Sequence, residues 1–247
     1  MFKLLAQVGK YSLFMKGLFA KPEKFSVYLR QTALEMATMA WGSIGIVALI
    51  SSFLGAVVAI QSAYNLSNPF VPISAVAWVT RDSMILEFAS TIICLVLAGK
   101  IGSSIASELG TMRVTEQIDA LEIMGINSSG YLVLPKIVAA LLVFPILVII
   151  SMFLGIAGGY IGCITAGVMT SADFRKGVIE DFIPFNVTFS LIKTVLYAFA
   201  ITSVSSYQGY YTDGGALEVG RSSTKAVVYS CTLILVLDYI TTQLLLA

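Results

Sequence analysis

Residues 131–168 read YLVLPKIVAALLVFPILVIISMFLGIAGGYIGCITAGV, and this stretch decides the fold. Nothing in it alternates polar with apolar as a half-buried strand would. As one straight helix it reaches about 55 Å at ~1.5 Å per residue, against a bilayer core of about 30 Å. Either one helix projects beyond the membrane or two short spans meet inside it. One span is the better reading. The only break near the middle is Ser151, and a turn there strands backbone groups in lipid with too few residues on either side to cross. Pro145 and Gly155, Gly158, Gly159 and Gly162 are the positions that could kink or thin the helix.

The rest of the chain has the same character. Of 247 residues, 57% are hydrophobic and 12% charged, about half the charge of a typical soluble domain. Further apolar runs cover about 38–61, 84–105, 186–206 and 224–246. With 131–168 they make five helical spans. A net charge of +1 gives no field for nucleic acid. There is no histidine, and Cys94, Cys163 and Cys231 lie far apart in apolar runs, a pattern for packing rather than for a disulfide or a metal. A cleaved signal peptide is not expected, because Lys10 and Lys16 interrupt the early apolar stretch.

Residues 1–30 are amphipathic. Leu4, Val8, Tyr11, Met15 and Leu18 recur at helical spacing, and Lys3, Lys10, Lys16, Lys21, Lys24 and Arg30 supply cations. An interfacial helix fits this pattern, and so does a helix packed on the rest of the protein. Pro22 and Glu23 look like the first turn of a second short helix. Five spans put the N-terminus in the cytoplasm and the C-terminus outside. Arg81, Arg175 and Lys176 then fall on the outer side, Lys193 in the membrane, and the other cations inside. Residues 62–83, 169–185 and 207–223 read as polar loops.

Three charges fall within spans: Glu87, Lys193 and Asp238. Each costs at least about 2.5–3.5 kcal/mol at mid-bilayer, so pairing is expected. Counting residues from the span ends puts Lys193 and Asp238 at nearly the same depth and Glu87 a little further out. We read a Lys193–Asp238 pair with Glu87 near it, either functional or a lock between helices. Small residues recur four apart at Ala98, Gly102, Ala106 and Gly110, at Gly155 and Gly159, and at Gly158 and Gly162. They allow close helix contact, within the chain or between copies.

The one polar island between spans is AGKIGSSIASELGTMRVTEQIDALEIMG, Ala98–Gly125. Thr115 is placed to N-cap a helix over Glu116–Met124, with Gly125 as its C-terminal cap. Glu116, Asp119 and Glu122 form an acidic stripe, and Ile118, Leu121 and Met124 an apolar one. Such a helix suits a docking partner or simply packs as a solvated loop helix. The loop GALEVGRS, Gly215–Ser222, nearly matches a phosphate-binding loop, but Arg221 stands where the lysine is required and no strand precedes it. Any ATP hydrolysis therefore belongs to another chain.

The island together with YLVLPKIVA resembles the MlaE permease family, membrane subunits of ABC transporters that move phospholipid with MCE-domain proteins. TDGGALEVGRSSTKAVVYS resembles that family's second signature. The likeness extends over most of the chain from about residue 35 and includes span order and spacing.

It implies an all-α integral membrane protein, with an interfacial amphipathic segment over 1–35 and a transmembrane permease domain over 36–247. It implies a cytoplasmic coupling helix between spans 2 and 3, drawing on Glu108, Arg113, Thr115, Glu116, Asp119, Glu122 and Gly125. It also implies a cytoplasmic loop with Gly214, Gly215, Gly220 and Arg221, and an intramembrane charge cluster of Glu87, Lys193 and Asp238.

The implied partners are cytoplasmic ABC ATPase subunits, an outer MCE-domain protein, a second copy of the chain and phospholipid. The setting is the inner (plasma) membrane. No catalytic residue, metal or cofactor is expected in the chain itself. Family members often read Arg-Glu-Leu-Gly-Pro where this chain has Leu86, Glu87, Phe88, Ala89 and Ser90, so the glutamate is kept while the cation and the Gly-Pro break are lost. The rival readings are a permease for another apolar cargo, such as a sterol or drug, and a non-transporting anchor for an ATPase.

Overall fold

A computed structural model of the chain describes residues 2–18, 25–66, 70 and 72–245. The readings of Lys3, Leu4, Val8, Lys21, Pro22, Glu23, Lys24 and Pro69 fall outside the described residues or side chains. Among the described residues every element is helical: α1 (Phe2–Gly17), α2 (Phe25–Asn65), α3 (Ser74–Val114), α4 (Gln117–Ile123), α5 (Ser128–Thr165), α6 (Ser171–Ile179), α7 (Phe185–Tyr210) and α8 (Ala216–Leu245). Five of them, α2, α3, α5, α7 and α8, are long and apolar enough to cross a membrane. The chain is an all-α membrane protein. The stretch at 131–168 runs through Ser151 in the single helix α5, which ends at Thr165.

Three predicted loops are partly helical. Residues 62–83 hold the first turns of α3 from Ser74, and Arg81 and Asp82, paired at 2.9 Å, are taken into the helix. Residues 169–185 hold α6, whose Thr170 cap accepts from the Asp173 N–H at 3.3 Å. Residues 207–223 divide between the last turn of α7, a link of five residues and the first turns of α8. Ala216, Leu217 and Glu218 are good helix formers, so Gly220 and Arg221 sit on α8 rather than in a loop. Gly214 does lie in the link, with φ +114°, a conformation that favours glycine.

The chain divides into two compact units. The first comprises the residues up to Ala40, Leu95–Val143 and Leu196–Leu237. Here α1 packs on the end of α7: Phe14 meets the rings of Tyr207, Tyr210 and Tyr211 at 5.3–5.7 Å, and the Tyr11 hydroxyl donates to Ser203 at 2.7 Å. Burial pushes the Tyr11 phenol above its ordinary pKa, against a downward pull from that hydrogen bond. Lys10, Leu13 and Lys16 stay exposed. The row Ala98, Gly102, Ala106, Gly110 is buried and faces α7 and the start of α8. A Cβ on Gly102 would stand 2.8 Å from the Ser205 hydroxyl.

The second unit comprises Trp41–Cys94, Phe144–Val195 and the residues from Asp238 on. Its glycine rows join α2 to α5 within the chain. A Cβ on Gly55 would lie 1.8 Å from the Gly155 carbonyl oxygen, and one on Gly158 2.1 Å from that of Ser52. Backbone meets backbone there, so no side chain can move aside. The Ser51 hydroxyl reaches Ser151 at 2.8 Å across the same interface.

Candidate functional site

Two sites emerge, one in each unit. In the second unit the side chain of Lys193, on α7, is fully buried. Its ammonium has three protons and finds three kinds of acceptor: both Glu87 oxygens at 3.0 and 3.1 Å, the Leu86 carbonyl at 3.3 Å, and an Asp238 carboxylate oxygen. The Phe189 ring lies 5.0 Å below it. Thr91 donates to Glu87 at 3.3 Å. The geometry brings together all three charges singled out from sequence, on three different helices.

The local backbone helps. Met84–Ile92 of α3 is wound as a π-helix, in which carbonyls lose their ordinary i+4 partners. The Leu86 carbonyl accepts from both Lys193 and the Ser90 hydroxyl. Glu87 stands thirteen residues into α3, about 20 Å from the start of the helix at ~1.5 Å per residue. Its side chain is 44% exposed and that of Asp238 20%. With one cation and two anions, the cluster turns a carboxylate outward and hides its lysine.

In the first unit α4 projects from the end of α3. Thr115 does not cap it. The Thr115 hydroxyl donates back to the Thr111 carbonyl at 2.8 Å, and Glu116, at φ +59°, stands at the N-cap without a side-chain bond. Gly125, at φ +80°, closes α4, and the Ile126 N–H reaches the Leu121 carbonyl at 3.1 Å, a Schellman closure.

The acidic stripe is not a free face. Asp119 pairs with Arg113 at 2.7 Å. A Glu122 oxygen accepts from Tyr210 and from Ser128, both at 2.9 Å, while those two hydroxyls lie 2.7 Å apart. Arg113 also sits 6.0 Å from the Tyr210 ring centre. The apolar stripe turns as well. Ile118 is fully buried, and Ile123 and Met124 are the exposed pair, at 87% and 65%.

Glu108 takes part in a second ion triad, of which the lysine alone is buried. Lys136 reaches Glu108 at 2.8 Å and Glu35 at 2.5 Å, with 3% of its side chain exposed. Sequence reading passed over Lys136 and Glu35 because both lie near span ends, where a charge needs no partner. The signal was a lone lysine just after Pro135 inside the most apolar run. Among the described residues Arg221 pairs with Glu218, on the surface, at 2.5 Å, a contact of little energetic weight. Gly215 immediately precedes α8.

The sequence profile described as Permease MlaE matches residues 32–244. The chain belongs to this permease family. Among similar proteins, a "Probable ABC transporter permease protein" of Rickettsia bellii is 36% identical over 246 residues, covering 98% of this chain and 93% of the relative. One of Synechocystis is 32% identical over 210 residues, 85% and 80% of the two chains. "Protein TRIGALACTOSYLDIACYLGLYCEROL 1, chloroplastic" of Arabidopsis thaliana is 29% identical over 229 residues, 88% and 62% of the two. The MlaE profile begins after α1, so the match rests on α2 to α8.

Proposed function

We propose that this ABC transporter permease moves phospholipid across or out of the inner membrane. It is powered by a separate cytoplasmic ATPase and works with an MCE-domain protein on the outer side. The observation that carries the coupling half of this reading is the exposed Ile123–Met124 tip, held by Glu122, Tyr210 and Ser128. A short helix with an apolar tip and a fixed base suits insertion into a groove on a partner. Because Tyr210 ends α7 and Ser128 begins α5, force on α4 reaches two long helices directly. The cargo half is supported by family membership and by the glycerolipid in the Arabidopsis relative's name.

α8 is the least buried of the five long helices, which supports a second copy of the chain against it. Two such permeases enclose an apolar cavity for acyl tails, and ATP-driven closure of the ATPase pair squeezes it. Lys193 lies beneath its carboxylates, which favours a role in holding helices in register over direct capture of a phosphate. The N-terminus is then cytoplasmic and the C-terminus on the outer side.

Ile123→Asp with Met124→Asp is expected to lower ATPase recovery on co-purification at least about tenfold, since two buried apolar contacts are each worth about 1.5–3 kcal/mol. Reversing Glu116 alone to Lys is expected to change recovery little. Undiminished recovery of the ATPase with the double variant counts against α4 as its docking element.

A further inference from the structure

We propose that a groove between α5 and α6 holds an anionic glycerophospholipid from the surrounding bilayer, its phosphate on Arg175 and an acyl chain along α5. The groove has a volume of about 420 Å³ and is lined by Phe153, Ile156, Tyr160, Arg175, Val178 and Ile179, among others. That size suits a small-molecule site.

The lining has two chemical ends. At the polar end the Tyr160 hydroxyl shares a 3.0 Å hydrogen bond with Ser171. Ser171 and Arg175 are four apart on α6 and so share a face. At the apolar end Phe153 and Ile179 are 72% and 77% exposed. They stand on, or packed beside, a helix long and apolar enough to cross the membrane.

Charge selects the occupant. Arg175 and Lys176 are both exposed, and among the described residues no carboxylate pairs with either. Asp173, the one acid on α6, is engaged by the Thr170 hydroxyl at 2.5 Å. An unneutralised guanidinium at the rim of an apolar groove beside lipid calls for a phosphodiester with tails, since Arg binds phosphate through paired N–H groups.

The site is also preformed. Thr170 caps one end of α6, and Arg81 holds the carbonyls of Val178, Glu180 and Asp181 at the other. A rigid site spares the bound lipid the entropy of ordering it. The inference does not depend on the transported cargo, because the groove is distinct from the Lys193 cluster.

The test uses the full chain, purified in detergent and offered phosphatidylglycerol or phosphatidylcholine at equal concentration. Bound lipid is counted by native mass spectrometry. The unmodified chain is expected to retain phosphatidylglycerol about five- to tenfold over phosphatidylcholine, whose choline cation offsets the phosphate charge that Arg175 would bind. Arg175→Gln is expected to bring that ratio to near one. Ala157→Trp, which fills the groove, is expected to reduce retention of both lipids. Both positions are exposed, and unchanged melting temperatures confirm that the variants fold. An Arg175→Gln chain that keeps the original preference overturns the proposal. So does inorganic phosphate protecting the chain from heat as strongly as phosphatidylglycerol, because such a site makes no use of the apolar groove.

Discussion

Lys193→Met is expected to cost about 3–5 kcal/mol of stability, because it leaves the carboxylates of Glu87 and Asp238 together with no cation between them. Lys193 is the cation that the two share. The expected readout is a large drop in melting temperature in detergent, or loss of the monodisperse species. Adding Glu87→Gln and Asp238→Asn removes the stranded charges, and this triple variant is expected to recover most of the loss. A buried ion triad can often be replaced by neutral groups at little net cost. The triple variant then separates two roles. Recovered folding with lost lipid movement places the charges in the transport cycle. Recovered folding with normal movement makes them a helix lock only. A Lys193→Met chain that melts like the original contradicts the cluster altogether.

Arg81→Ala is expected to have an effect of similar size, about 3–5 kcal/mol, for a different reason. The buried guanidinium uses all its N–H directions: two on Asp82 at 2.9 and 3.2 Å, and three on the carbonyls of Val178, Glu180 and Asp181 at 2.7–3.3 Å. Phe182 lies 5.5 Å from it. The cation thus stands where α6 ends, on the carbonyls that a helix leaves without partners. Removal exposes those carbonyls to loss and leaves Asp82 unpaired. Arg81→Lys is expected to recover only part of the loss, since an ammonium cannot reproduce the planar fork. Hydrogen exchange checks the location: amides of α6 are expected to lose protection before those of α7 and α8. Unchanged exchange in α6 shows that the clamp is not what holds it.

The long helices were legible because apolar run length is nearly a sufficient signal in lipid. Helix ends were less so. Arg81 looked like a loop residue because a charge ordinarily marks a span's end. Its partners lie about a hundred residues away in α6, and no local pattern announces them. Lys136 was missed for a related reason: it sits near the start of α5, where a cation seems free to reach water. Glu87, Lys193 and Asp238 were found because each interrupts an apolar run, and matched depth brought two of them together. In α4 the spacing of acids was read as a face, although Asp119 and Glu122 each turn to a partner within their unit. The small-residue rows showed that helices touch, and only coordinates showed that Gly55 meets Gly155 in the same chain.

The most direct test of the account is lipid movement by the permease reconstituted in liposomes with its ATPase and MCE-domain protein. Labelled phospholipid is followed on addition of ATP, with a labelled sterol as the competing cargo. The account predicts ATP-dependent movement of phospholipid that stops when the ATPase cannot hydrolyse and when Ile123 and Met124 are replaced by Asp. Phospholipid movement that is indifferent to hydrolysis, or ATP-driven movement of the sterol without phospholipid, would contradict it.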